Sequence, residues 1–264
     1  HDDYGDYSSN EPTMDGTASL IYLLASQENE QKSKQDQYGA LVRGPSDKKQ
    51  VSLVFTAHDL VDGKDHIAQV LKKKDVSASF FLTGDFLRDD ANRKFIKNIR
   101  RQHYLGPHSD KHLLYAPWDK RDSTIVSKVD FKRDLENNYQ ALKRFGISKI
   151  AANYYLPSYE WYNQDVVRWA GELGVEVVNF TPGLRTAADY TYPEMGNRYS
   201  NSKELLKGLY KTEENFGLQG NIILIHLGVD NRRPDKFYKE LDVLIDDLSA
   251  KGYDFVRIDT LLSQ

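Results

Sequence analysis

A chain of 264 residues with 39% hydrophobic and 28% charged side chains and a net charge of −3 has the make-up of a globular protein with a substantial core. That balance gives no reason to expect nucleic acid or an anionic membrane as partner. No apolar run approaches the ~20 residues of a membrane span, and His1-Asp2-Asp3-Tyr4 does not read as a signal peptide. The absence of cysteine excludes disulfides, thiolate metal sites and a cysteine nucleophile, so any metal must be held by histidine and carboxylate.

In chain order, residues 1–16 are polar, and Ala18 to Ala25 reads as a short helix. Gln27 to Gln50 reads as a charged linker with few apolar anchors, Tyr38, Leu41 and Val42, which places a domain boundary near Arg43–Lys48. The expected division is therefore a tail and linker over 1–45 and one domain over 46–264. From residue 51 the pattern alternates strands with amphipathic helices. Val51–Thr56 is a strand, then Ile67, Val70 and Leu71 mark a helix. Ser77–Leu82 is the next strand, and Asn92–Arg101 a charged helix. Phe131, Leu135, Leu142 and Phe145 mark a long helix, with Gly146 at its C-cap. Ile150–Leu156, Val175–Phe180 and Asn221–His226 read as strands. The last helix carries Phe237, Leu241, Leu244, Ile245 and Leu248 on one face, ends at Gly252, and is followed by a closing strand, Tyr253–Ile258. Strand–helix alternation repeated about six or seven times predicts an α/β fold with a parallel sheet, closed as a barrel or open and doubly wound. In either form the chemistry gathers at the C-terminal ends of the strands.

Four segments there carry candidate chemistry. His108-Ser109-Asp110-Lys111-His112 follows a strand-like run, and two histidines four apart on a helical turn would share one face and one cation; the plainer alternative is a solvated polar loop. His58, Asp59 and Asp62 gather an imidazole and two carboxylates after the first strand, where an ordinary helix-capping loop is the alternative. His226 stands at the mouth of an apolar strand, either as a buried structural residue or as a proton donor. Glu160 lies among Tyr159, Trp161 and Tyr162, which offer stacking surfaces for a sugar; it is a base, a ligand or a helix cap.

Taken together, these segments resemble the NodB-like polysaccharide deacetylases, carbohydrate esterase family 4, over about residues 50–264. Ala78-Ser79-Phe80-Phe81-Leu82-Thr83-Gly84 resembles the family's Ala-Thr-Phe-Phe strand ending in Gly. The His-Ser-x-x-His motif is intact at His108–His112, and Leu224-Ile225-His226 resembles the final motif, with His226 in its catalytic position. The first motif, Thr-Phe-Asp-Asp-Gly, is not kept: counting back from Phe80 puts Phe55 on its Phe, and Thr56 and Ala57 on its two Asp. The Arg before Pro that orients the base is here Leu156. The loss of both belongs together, since an Arg facing no carboxylate would be an unpaired buried charge.

The resemblance implies a distorted (β/α)7-8 barrel and a metal-dependent hydrolase that removes acetyl groups from an N-acetyl glycan or an O-acetylated xylan-type chain. A divalent metal, zinc first and cobalt or nickel as alternatives, is expected on His108, His112 and Asp59, with Asp62 as second choice. His58 or Glu160 is expected to replace the base, His226 to be the acid, and a backbone N–H near Tyr159 to hold the oxyanion. The implied place of action is extracellular or periplasmic. A catalytically inactive carbohydrate-binding barrel, using Trp118, Tyr159, Trp161 and Tyr162, is the alternative. Residues 9–18 are also similar to the C-terminal end of family 9 glycoside hydrolases, where an Asn-Glu pair like Asn10-Glu11 supplies the acid; without a partner carboxylate, Glu11 cannot cleave a glycosidic bond.

Overall fold

The computed structural model describes residues 30–263. The short helix expected at 18–25 and the Asn10-Glu11 segment lie outside them. Strands β1 (Lys34–Gln35) and β2 (Leu41–Arg43) pair antiparallel. These residues were expected in the linker, yet Ala40, Leu41 and Val42 are buried, Leu41 bridges Val178, and the Arg43 Nε donates to the Gln219 carbonyl at 2.9 Å. Three apolar residues are enough to fill an edge, so the packed unit reaches back past residue 45.

Strand β3 (Gln50–Ala57) is buried at all but its first residue, as a run with both faces covered should be. It is followed by α1 (Lys64–Lys74), β4 (Ser79–Leu82), the short α2 (Gly84–Arg88), α3 (Arg93–Ile99) and β5 (Tyr104–Pro107). The long helix α4 (Lys128–Lys143) is capped by Ser127, whose Oγ accepts from the Asp130 N–H, and it buries Phe131, Leu135 and Leu142. Then come β6 (Tyr154–Tyr155), α5 (Gln164–Gly171), β7 (Glu176–Val177), α6 (Ser202–Phe216), β8 (Ile222–His226), α7 (Leu241–Ala250), β9 (Asp254–Phe255) and α8 (Ile258–Leu262).

The central sheet is parallel throughout, in the order β5-β4-β3-β8 with β9 also on β3. A second parallel pair, β6 with β7, is tied to it at both ends. The Leu156 N–H donates to the Pro107 carbonyl, and beyond β7 the Thr181 N–H donates to the Ile222 carbonyl. These bridges trace the distorted ring that the resemblance implies; no closed barrel of strands forms among the described residues. The register settles where chemistry sits. Leu82 pairs with Pro107, Ala57 with Leu82, and Thr56 with His226, so His58, Thr83, His108 and His226 all emerge at one rim.

Three strands are shorter than their apolar runs suggest: β6, β7 and β9 each keep two laddered residues. Helices α5 and α6 were not anticipated from the sequence. α6 had a readable signal, because Asn201 and Glu204 form a reciprocal capping box.

Arg233 is fully buried, its guanidinium donating to the carbonyls of Thr191 and Ser200 and to Ser202 and Asp235. It thereby fastens the segment between β7 and α6 from behind. Arg233→Met is expected to lower the unfolding free energy by about 3 kcal/mol, because it strands the buried Thr191 carbonyl and removes the ion pair with Asp235. A denaturant midpoint equal to the parent's would refute that assignment.

Candidate active site

The floor of the site begins at β3. Thr56, 3% exposed, carries a hydroxyl with no protein partner, and Ala57 beside it has no functional group. His58 follows, its Nδ1 3.3 Å from the Thr83 Oγ1, its ring lying flat on His112 at 4.5 Å and 9°. Asp59 lines the same cavity, and its carboxylate accepts from the Leu60 N–H. Asp62 does not point there. It accepts from the Val229 N–H and the Tyr238 hydroxyl and faces Lys236 at 3.3 Å, so as a metal ligand it is replaced by a structural role: tying the β3 loop to the β8 loop.

His108 and His112 do meet, with ring centroids 5.2 Å apart. The reason is not a helical turn. Residues 108–112 form a loop in which Ser109 and His112 have positive φ, 71° and 53°. Helix α4 holds this loop from behind. The Asn138 side chain accepts from the His108 N–H and donates to the Leu82 carbonyl, while buried Asp134 accepts from the N–H groups of Asp110 and Lys111 and from the Tyr115 hydroxyl. On the near side, the N–H groups of Gly84 and Asp85 donate to the carbonyls of Ser109 and Asp110. A Cβ at 84 would collide with the Asp110 carboxylate, which accounts for glycine at the end of that strand motif.

Glu160 enters from the β6–α5 segment. Tyr159 and Glu160 are consecutive left-handed residues, φ 59° and 54°, an uncommon and costly backbone for non-glycine residues. The turn puts the Glu160 carboxylate 4.0 Å from the His108 Nε2, with its side chain 13% exposed. His226 closes the far side. Its Nδ1 lies 2.5 Å from one oxygen of Asp189, and its backbone N–H donates to the other. Asp189, buried at 1% exposure, is the functional residue that the sequence reading missed.

These environments separate the titrations. Burial raises Glu160 to about 7; the charge of His226 opposes that and the charge of Asp189 adds to it. Burial acts to lower His226, but the charge and hydrogen bond of Asp189 outweigh it and bring His226 to about 9. Burial, joined by repulsion from His58, lowers His112 to about 4. His108 falls well below the ordinary imidazole range for the same first reason, with the His112 charge next. At neutral pH the pair at 108 and 112 therefore presents free lone pairs, and His226 presents a proton.

The donor chemistry suits a divalent cation. The His108 Nδ1 sits 2.7 Å from the Leu156 carbonyl, a contact that places the proton on Nδ1 and leaves Nε2 free toward the cavity. The spacing is looser than a finished site: among the described residues, no three His, Asp or Glu converge as a metal-holding group.

The cavity over this floor measures about 760 Å³. Tyr159, Trp118, Tyr190 and Tyr192 are among the residues that line it. Tyr162 is not part of it. That ring is fully buried and its hydroxyl donates to Asp36 at 2.7 Å, so a stacking role toward sugar gives way to a place in the core. Trp161 stands behind Trp118 rather than in the cavity, their rings 5.4 Å apart.

Comparison with known proteins supports the fold. A Geobacillus stearothermophilus protein described as an uncharacterized 30.6 kDa protein in the fumA 3' region is 26% identical over 231 residues, 87% of this chain and 77% of that one. A family 4 acetyl xylan esterase from Clostridium thermocellum, solved with a cobalt ion, superposes with a TM-score of 0.64 at 19% identity, over 81% of this chain and 90% of that one. BA3943 from Bacillus anthracis, described as a family 4 pseudoenzyme, superposes with a TM-score of 0.64 at 19% identity, over 95% and 82%. Residues 43–178, just over half of the sequence and the part bearing His108, His112 and Glu160, match the family described as polysaccharide deacetylase, and the chain belongs to that family.

Proposed function

We propose that this protein is a metal-dependent hydrolase that removes acetyl groups from an acetylated glycan, an N-acetylated chain or an O-acetylated xylan-type chain, outside the cell or in the periplasm. The observation that carries the reading is the pairing, across one cavity, of a proton-bearing His226 held by Asp189 with a carboxylate, Glu160, whose affinity for a proton lies near neutrality. Two groups pushed apart in this way can serve as acid and base in one hydrolysis.

In the proposed reaction a water attacks the acetyl carbonyl carbon and gives its proton to Glu160. The carbon–nitrogen or carbon–oxygen bond to the sugar then breaks, and His226 delivers its proton to the departing amine or alcohol, leaving acetate. A backbone N–H near Tyr159 is proposed to hold the oxyanion. His108 and His112, with Asp59 as carboxylate, are proposed to hold a divalent ion, zinc first and cobalt or nickel as alternatives. Such an ion supplies Lewis acidity toward the carbonyl and a more acidic water. His58, stacked on His112 and bonded to Thr83, is the second candidate base.

Metal analysis of protein loaded with zinc tests the metal part directly. About one equivalent per chain is expected, lost in His108→Ala/His112→Ala; a native chain that binds none would refute it. Acetate release from acetylated chito- and xylo-oligosaccharides tests the reaction.

A second reading is a binding barrel without catalysis. The Thr56-Ala57 pair in place of two carboxylates favours it, as does the absence of three converged donors among the described residues. Glycan binding without acetate release, unaffected by the double histidine substitution, would select it.

A further inference from the structure

We propose that the hairpin of β1 and β2, a stretch that reads from the sequence as linker, is a working part of the site. Through Asp36, Tyr162 and Asn179 it clamps the left-handed turn that carries Glu160, and Asn179 is the positioning residue for that carboxylate. The proposal rests on the reading of Glu160 as the base.

Two consecutive left-handed residues such as Tyr159 and Glu160 persist only where their surroundings fix them. Inside the turn, the Glu160 N–H donates to the Pro157 carbonyl at 3.0 Å and the Trp161 N–H to the Ser158 carbonyl at 3.3 Å. The Glu160 carbonyl is bound from outside it, accepting from the Asn179 Nδ2 at 3.1 Å. A flip of that peptide would break this bond and swing the Glu160 side chain away from His108, whose Nε2 it faces at 4.0 Å.

Asn179 is buried and is itself held by the hairpin. Its backbone N–H donates to the Leu41 carbonyl on β2 at 2.9 Å. Its Oδ1 accepts from the Phe180 N–H at 2.8 Å, which leaves the Nδ2 for Glu160 and, at 3.3 Å, for the Tyr162 hydroxyl. That hydroxyl donates to one oxygen of Asp36 at 2.7 Å, while the other accepts from the N–H groups of Tyr38 and Ala40. A second link reaches the residues after Glu160. The Arg121 guanidinium lies between Tyr38 and Trp161, 4.0 Å from each ring centroid, and its Nε donates to the Tyr162 carbonyl at 2.6 Å. Both links begin between β1 and β2 and end on the turn, so the hairpin's docking and the base's position are one arrangement.

The test compares the native chain with Asn179→Leu, Tyr162→Phe, Glu160→Gln and the double variant Asn179→Leu/Glu160→Gln by two measurements. One is acetate release; the other is amide hydrogen exchange, read by mass spectrometry on peptides covering 157–163. Asn179→Leu is expected to lower kcat about ten- to hundredfold with KM within about twofold of the parent, since it displaces the base without touching substrate. Tyr162→Phe keeps the buried ring and should lose about threefold in the same sense, which also covers the case in which Asn179→Leu does not fold. The double variant should be no slower than Glu160→Gln alone. Exchange over 157–163 should quicken about tenfold in Asn179→Leu while the rest of the chain keeps the parent's rates. A parental kcat, a loss confined to KM, additive losses in the double variant, or unchanged exchange would each overturn the clamp. A parental rate in Glu160→Gln would instead sink the base reading. If the native chain releases no acetate, exchange alone decides whether the hairpin holds the turn.

Discussion

Asp189→Asn is expected to lower the rate of deacetylation by about 10²–10⁴-fold and to move the alkaline limb of its pH profile toward neutrality or below. The carboxylate is what holds a proton on His226. With Asp189 present, His226 stands at about 9, so the acid is charged throughout the neutral range and activity falls only as pH rises through that value. With that charge removed, burial is opposed only by the charge of Glu160 and pushes the imidazole down. The Asn oxygen can still accept the His226 backbone N–H while its NH2 donates to the Nδ1 of the neutral ring, so the local fold is kept while the proton is lost. The sign for stability is the same. A histidine whose folded value lies above its unfolded value of about 6.5 stabilises the fold fully below that pH, and the contribution disappears as pH rises through about 9. A variant with unchanged rate and an unshifted alkaline limb would show that His226 is not the acid.

Glu160→Gln carries the other large effect. It preserves shape and burial and removes the group proposed to accept the water's proton, so a fall of about 10²–10⁴-fold is expected. Because a base must be ionised to act, activity in the parent should rise with pH through about 7, where burial has placed Glu160. With the alkaline limb near 9, the profile is a bell with its plateau between the two. In Glu160→Gln the acid limb should vanish along with most of the rate. If the rate and acid limb survived, the base would be another group, and His58 would be the one to substitute next.

The parts of this architecture readable from sequence were those set by local repetition. The unbroken apolar run of β3 and the one-sided apolar spacing of α7 each depend on neighbours a few residues away, and both form where expected. The overlong strands were misjudged because apolar side chains were taken as laddered backbone. Ile150, read as the start of a strand, is 92% exposed and unpaired in any sheet. The spacing of His108 and His112 correctly implied that they meet, but for the wrong reason: loop backbone and the grip of α4 bring them together, neither of which a periodicity contains. Asp189 was invisible because its partner is 37 residues away. Nothing in a polar segment between two elements says which carboxylate will be buried against a distant imidazole. Tyr162 and Asp62 mark the converse error, polar groups near a site that spend themselves on internal bonds.

The grip of α4 on the 108–112 loop has a wider consequence. Asp134 and Asn138 anchor the histidine pair to a helix remote in sequence from the end of β3, so each half of the reaction centre hangs from its own support. Loss of two acidic side chains on one support need not loosen the imidazoles on the other. Such mechanical independence lets a lineage dismantle and refit one half of a catalytic apparatus while the remaining half stays in position, ready for a carboxylate arriving from a new direction.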